Sequence, residues 1–259
     1  MLQMNILVFD IETVPDVEAG AKILNLENLS DKEIIKAMEH SQFQKSGSMF
    51  QPLYLHKIVA ISVLHKTDQK LSLLTLGDKQ SSEKEILKQF FDGIDRYQPQ
   101  LVSWNGKGFD SPVMHYRALF NKVSSIKYWD KGEDDKDFKW NNYHNRFHER
   151  HLDLMSVLSS YNKGAPLTDI AQLIGAAGKF GIDGSKVTEY FLNGEIEEIR
   201  NYCETDVINT YFVYLRYLLI SSTISQKKYD ELLKEIFDHM ESSDKKHLKE
   251  FCAHCNKDL

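Results

Sequence analysis

The chain opens on an unbroken apolar stretch, Ile6-Leu7-Val8-Phe9, that turns polar at Asp10 and Glu12. A short apolar run bounded in this way predicts a buried strand. The period then changes. Between Asp16 and His40, Ile23, Leu26, Ile34, Ile35 and Met38 recur at roughly helical intervals among charged residues, predicting one or two helices inserted after the first strand. Residues 41–54 carry Ser, Gly, Gln and Pro and predict a loop. Strands follow over 57–65 and 71–76. Ser81-Ser82-Glu83-Lys84-Glu85 then supplies a cap and an acidic first turn for a helix reaching about Tyr97. A further strand, Leu101 to Asn105, breaks at Gly106-Lys107-Gly108. A helix begins near Ser111, with Pro112 suited to its first position.

The second half is dominated by helical spacing. Residues 131–150 are dense in charge, His, Asn and aromatics with little period, and short helices are predicted over 167–175 and 185–192. A long helix over 196–220 places Ile199, Val207, Tyr211, Tyr214 and Leu218 on a buried stripe. From Gln226 onward a charged helix precedes His247 and the Cys252/Cys255 pair. Strands early and helices late predict an α/β domain with helical additions. Short connections make the first strands antiparallel neighbours.

Size and composition narrow the class. A chain of 259 residues can bury a sizeable core, and 42% hydrophobic with 27% charged residues excludes a disordered or fibrous chain. No apolar run reaches the roughly 18 residues of a membrane span. The N-terminus lacks the basic and apolar regions of a signal peptide, and three cysteines make no disulfide framework. A cytoplasmic location is the expectation. The net charge of −6 speaks against a simple nucleic-acid coat, although a carboxylate metal site is itself acidic.

Three patterns could carry chemistry. Asp10 and Glu12, two apart on a strand, project to one face. Paired carboxylates on an apolar strand repel and lose solvation, a cost that a hard cation such as Mg²⁺ or Mn²⁺ relieves. A strand end reaching solvent fits the same residues. Asn105-Gly106-Lys107-Gly108-Phe109-Asp110 sits where a strand gives way to a helix, and an ordinary turn fits it as well. Tyr202 and Asp206, four apart on a helix, share a face, which suits a phenol held beside a carboxylate and equally a half-buried core aromatic. Tyr143 to His151, containing Arg146 and Arg150, interleaves basic and aromatic residues in a composition suited to phosphates and bases; a solvated loop also fits. Gly175 to Phe180 fails the spacing of a phosphate loop. Cys252 and Cys255 with His247 and His254 lack a second Cys pair for structural zinc, so an exposed tail is expected there.

Taken in order, Asp-x-Glu on the first strand, Asn-x-x-x-Phe-Asp after a later one and Tyr-x-x-x-Asp on a late helix resemble the DEDD superfamily of 3′-5′ exonucleases, in its tyrosine subclass. Within it the chain looks most like stand-alone proteins related to the proofreading exonuclease domain of family B DNA polymerases. His151-Leu152-Asp153-Leu154, Gly181-Ile182-Asp183-Gly184-Ser185 and Tyr202-Cys203-Glu204-Thr205-Asp206-Val207 support that placement. The resemblance covers about residues 5 to 220.

What it implies is an α/β, ribonuclease-H-like mixed sheet flanked by helices. An exonuclease domain over 1–222 would carry a helical insertion at about 16–55, and a helical C-terminal tail would occupy 223–259. Asp10, Glu12, Asp110 and Asp206 would hold two divalent ions, Mg²⁺ or Mn²⁺, with Tyr202 as fifth catalytic member. Thr13, Asn105 and Phe109 would lie beside the 3′-terminal nucleotides. Asp153 fits a structural or supporting role. The implied activity is stepwise release of nucleoside 5′-monophosphates from a free 3′ end of nucleic acid, single-stranded, with no membrane involved and no protein partner indicated. Both DNA and RNA fit, because no motif reports contacts to the 2′ position. Two other readings use the same residues: a nucleic-acid-binding module without turnover, and a metal-dependent nucleotide phosphohydrolase.

Overall fold

The computed structural model describes residues 4–26, 28–145, 147–160, 162–178, 180–256 and 259. Five strands form one sheet: β1 (Asn5–Pro15), β2 (His56–Thr67), β3 (Leu71–Thr75), β4 (Gln100–Ser103) and β5 (His151–Asp153). Their spatial order is β3-β2-β1-β4-β5. β1 pairs antiparallel with β2 and β2 with β3, as the short connections require, while β4 lies parallel to β1 and β5 parallel to β4. A mixed five-stranded sheet in this order, flanked by helices, is the expected ribonuclease-H-like arrangement. β5 was not foreseen as a strand; three residues carry no readable period, and their strand character comes from pairing with β4.

Alternation along β1 assigns its two faces. Leu7, Phe9 and Ile11 pack against α3 (Glu83–Tyr97) and α4 (Asp110–Asn121), through Phe90, Phe91 and Ile94 of the first and Val113, Met114 and Ala118 of the second. Ile6 and Val8 face α9 (Ile196–Ile220), whose buried side chains include all five of the expected stripe. The boundaries of α3 and α9 coincide with those read from the sequence. In α3 the Ser82/Glu85 capping box is formed, which explains why its start was legible.

The insertion after β1 contains α1 (Val17–Leu24) and α2 (Asp31–Ser46), where Ile34, Ile35 and Met38 are buried and Ile23 is exposed. The loop expected from residue 41 begins six residues later. α2 runs on to Ser46 and stops only at Gly47, whose φ of 72° supplies a left-handed C-cap. Between α4 and the later helices lie α5 (Ile126–Trp129), α6 (Leu154–Ser159), α7 (Leu167–Leu173) and α8 (Val187–Leu192).

The C-terminal helices α10 (Gln226–Ser242) and α11 (Lys246–His254) add Leu232, Ile236, Met240 and Phe251 to the core under α9. Cys252 and Cys255 are buried there, which overturns the expectation of an exposed tail. The His247 Nε2 lies 2.9 Å from Glu204, which also takes an ion pair from Lys245 at 2.5 Å. Among the described residues no helix is long and apolar enough to cross a membrane.

Candidate active site

The site lies where β4 leaves the sheet. β4 pairs with β1 only over Ile6–Val8, so the edge of β1 beyond Val8 faces the start of α4 instead of another strand. Asp110 opens α4 at that point. It is 4% exposed, and its carboxylate accepts hydrogen bonds from its own amide and from the freed Ile11 amide. Asp10 and Glu12 project from the α9 face of β1. Immediately after Glu12 the register slips: Glu12 opposes Ala60 and Thr13 opposes Ile58, leaving Val59 as the extra residue of a β-bulge. Bulges of this kind re-aim side chains beside functional sites.

Helix α9 closes the group from above. Tyr202 and Asp206, one turn apart, hydrogen-bond to each other. Asp206 is further held by Asn209, which is fully buried and donates from Nδ2 to the Gly178 carbonyl at 2.8 Å. The Cys203 sulfur reaches the opposite side of the cluster, 3.6 Å from Asp10 Oδ2 and 3.4 Å from the Asp10 carbonyl oxygen. Ligand atoms of Asp10, Glu12 and Cys203 all lie within 4.8 Å of one another.

Electrostatically the acids are one unit. Burial, then the neighbouring carboxylates, pushes Asp10 and Glu12 well above the carboxylate range. Burial raises Asp110 to about 7 despite its two amide donors, and Asp206 to about 6 despite Tyr202 and Asn209. The Tyr202 hydroxyl is driven upward by burial and by Asp206, Glu12 and Asp10, so it stays a neutral phenol. Four carboxylates this close cannot all be ionised without a compensating cation. Hard oxygen donors in such a cluster fit Mg²⁺ or Mn²⁺.

The loop between β4 and α4 is ordered from below. Both carboxylate oxygens of buried Asp153 accept backbone amides, from Asn105 and Lys107, each at 3.0 Å. Asn105 adopts φ 61°, a left-handed conformation that Asn tolerates. Gly106 passes so close to β4 that a Cβ would fall 2.2 Å from Ser103 Oγ, the atom that bonds His151 Nε2 at 2.8 Å.

On the other face of β1, Phe109 meets His56 at 5.2 Å and Phe50 at 5.9 Å between ring centroids. His56 lies between Thr13 Oγ1 (2.9 Å from Nδ1) and the Gln51 carbonyl (3.0 Å from Nε2). A carbonyl only accepts, so Nε2 carries the proton and the Thr13 hydroxyl donates to Nδ1. Burial lowers the His56 pKa and keeps the ring neutral.

The structure therefore gathers Asp10, Glu12, Asp110, Tyr202 and Asp206 into one cluster, while Phe109 and Thr13, the sequence neighbours of Asp110 and Glu12, both contact His56, and Asn105 heads the loop that leads to Asp110. Arg150 is engaged elsewhere: its guanidinium stacks 4.0 Å from the Phe138 ring centroid and its Nε donates to the Asn141 carbonyl. Arg146 lies outside the described residues. Cys203, Asn209 and His56 were not anticipated. Cys203 and Asn209 were hidden within a helix whose apolar neighbours account for its pattern, although Asn209 follows Asp206 by three positions and so shares its face. His56 touches Thr13 only through the pairing of β1 with β2.

A family model described as a predicted 3′-5′ exonuclease related to the exonuclease domain of PolB matches residues 48–255. The chain belongs to that family. The match begins after β1 and takes in Asp110, Tyr202, Asp206 and the helices α10 and α11. A DNA polymerase of Archaeoglobus fulgidus is 27% identical to the chain over 161 residues, covering 60% of this chain and 19% of the polymerase. The chain thus spans about a fifth of that relative's length.

Proposed function

We propose that this exonuclease-family chain is a metal-dependent 3′-5′ exonuclease of the tyrosine subclass, releasing nucleoside 5′-monophosphates from single-stranded nucleic acid with a free 3′ end. The observation that carries this reading is the convergence of Asp10, Glu12, Asp110 and Asp206 from β1, α4 and α9, with Tyr202 bonded to Asp206. The three buried cysteines suit a reducing, cytoplasmic setting.

In this mechanism the four carboxylates would hold two divalent cations. When bound, these supply Lewis-acid activation of a water and charge for the leaving oxygen. Tyr202 remains protonated and, fixed by Asp206, orients the attacking water through its hydroxyl rather than removing its proton. Ile11 and Asn209 hold Asp110 and Asp206 in place through the hydrogen bonds described above. The Asn105 loop, fastened to Asp153, and the Phe109 ring border the 3′-terminal nucleotide, while Thr13 holds the His56 ring that packs against Phe109.

The test is single-turnover digestion of a 5′-labelled single strand with Mg²⁺ or Mn²⁺. The wild type yields a ladder of products shortened from the 3′ end, and Asp10→Asn and Asp206→Asn yield none while retaining a native circular-dichroism spectrum. Undiminished digestion by both variants would overturn the assignment.

A further inference from the structure

A strip of exposed rings leads away from the acids along α4. Phe50 touches Phe109, the residue before Asp110. Tyr54 meets Tyr116 edge-on at 6.1 Å, and Phe120 lies one turn beyond Tyr116 on α4. The four rings Phe50, Tyr54, Tyr116 and Phe120 are 46–59% exposed. Each is nonetheless packed on one side: Phe50 against His56 at 5.0 Å, Tyr54 and Tyr116 against each other, and Phe120 against the Arg117 guanidinium at 4.5 Å. Rings held on one face and open on the other are rigid platforms, and this much aromatic surface rarely stays uncovered without a use.

The two segments that carry the strip differ in charge from the chain as a whole. The chain carries a net −6, yet residues 47–58 contain no Asp or Glu, and neither do residues 111–129. Those segments supply Lys57 and Lys122 instead. An aromatic surface carried on segments without carboxylates, and reaching the residue before Asp110, suits bases with a polyanionic backbone better than it suits an apolar protein face.

We infer that this strip is a stacking track for the single strand upstream of the 3′ end. The inference rests on the exonuclease reading above and extends it from the terminal nucleotide to the strand behind it. Bases stack on the open ring faces of Phe50, Tyr54, Tyr116 and Phe120, without sequence preference because every base has a π-face. The track favours single strands over duplexes, in which the bases are already stacked on one another.

The test is fluorescence anisotropy with Ca²⁺, comparing a dinucleotide with a long single-stranded oligonucleotide. In the variant Tyr54→Ala/Tyr116→Ala the long strand should bind about tenfold more weakly or worse, since stacking contributes about 1–3 kcal/mol per base and 1.4 kcal/mol is a factor of ten. The dinucleotide, which ends before the track, should bind both proteins alike, and Tyr54→Phe/Tyr116→Phe should restore the long-strand affinity. Equal long-strand affinity in wild type and the alanine variant would overturn the proposal. So would a wild-type dimer, seen by sedimentation, that the alanine variant loses while its oligonucleotide affinity is unchanged. If the wild type binds in this length-dependent way yet releases no nucleotide, the exonuclease reading fails and the track stands.

Discussion

The Cys203 thiol lies 3.6 Å from Asp10 Oδ2, on the buried side of that carboxylate. It is fully buried, and burial together with Asp10 and Glu12 holds its pKa well above the usual thiol value. The S–H is therefore a donor that orients Asp10 from behind. Cys203→Ala should weaken Mn²⁺ binding by about tenfold, the scale of losing a group that orients a ligand, and Cys203→Ser should lose less. Isothermal titration calorimetry checks both; an unchanged alanine variant would reduce Cys203 to packing.

The acidic cluster sets how stability depends on pH without metal. Its carboxyls have folded-state pKa values raised above their unfolded values, with Asp206 at about 6 and Asp110 at about 7. Such groups contribute stability that is fully present below about pH 4 and is lost as pH rises through the folded values. In EDTA the protein should therefore lose stability between about pH 4 and pH 7, by a few kcal/mol on the order given by linkage. Mg²⁺ or Mn²⁺ should remove most of that loss. Asp206→Asn should stabilise the metal-free protein at pH 8. Urea unfolding across this range, with and without metal, gives the slopes; a stability that rises with pH in EDTA would contradict the cluster.

Tyr202→Phe retains the ring and its packing and removes only the hydroxyl held by Asp206. Turnover should fall by about 10²-fold, the lower range for a positioned proton-handling group, with metal affinity and KM little altered. Single-turnover kinetics at saturating metal distinguish this from a core aromatic, for which the rate would not change.

Much of this site was legible because its residues obey short-range periods. Asp10 and Glu12 alternate on a strand, Tyr202 and Asp206 are one helical turn apart, and the Ser82/Glu85 box marks the start of α3. What was not legible depends on contacts between distant segments. The end of α2 buries no residue after Met38, so no apolar period carried the helix on to its stop at Gly47. Cys252 and Cys255 are buried by packing under α9, which no local pattern encodes. Phe50 and His56 reach Phe109 only because β2 pairs with β1 and α4 crosses behind them.

The same holds for the buried triad that fastens the insertion. Arg117 on α4 bonds Asp16 through Nη1 and Glu83 through Nε and Nη2, at 2.5–2.7 Å, and all three are buried. These contacts tie the end of β1 and the start of α3 to the helix that begins with Asp110. Arg117→Met would leave two uncompensated carboxylates, a loss of about 3–5 kcal/mol for a broken buried pair. An unfolding free energy, read from urea titration, lowered by less than about 1 kcal/mol would show that the triad contributes no more than surface ion pairs.

The activity proposed for the acidic cluster is metal-dependent cleavage from a 3′ end. It is tested most directly by digesting two 5′-labelled single strands in parallel, one with a 3′-hydroxyl and one with a 3′-phosphate, in Mg²⁺, Mn²⁺ or EDTA. The free end should yield a ladder and nucleoside 5′-monophosphates only with metal, and the blocked strand should stay intact. Equal digestion of both strands, or digestion that persists in EDTA, would rule out a metal-dependent 3′-5′ exonuclease.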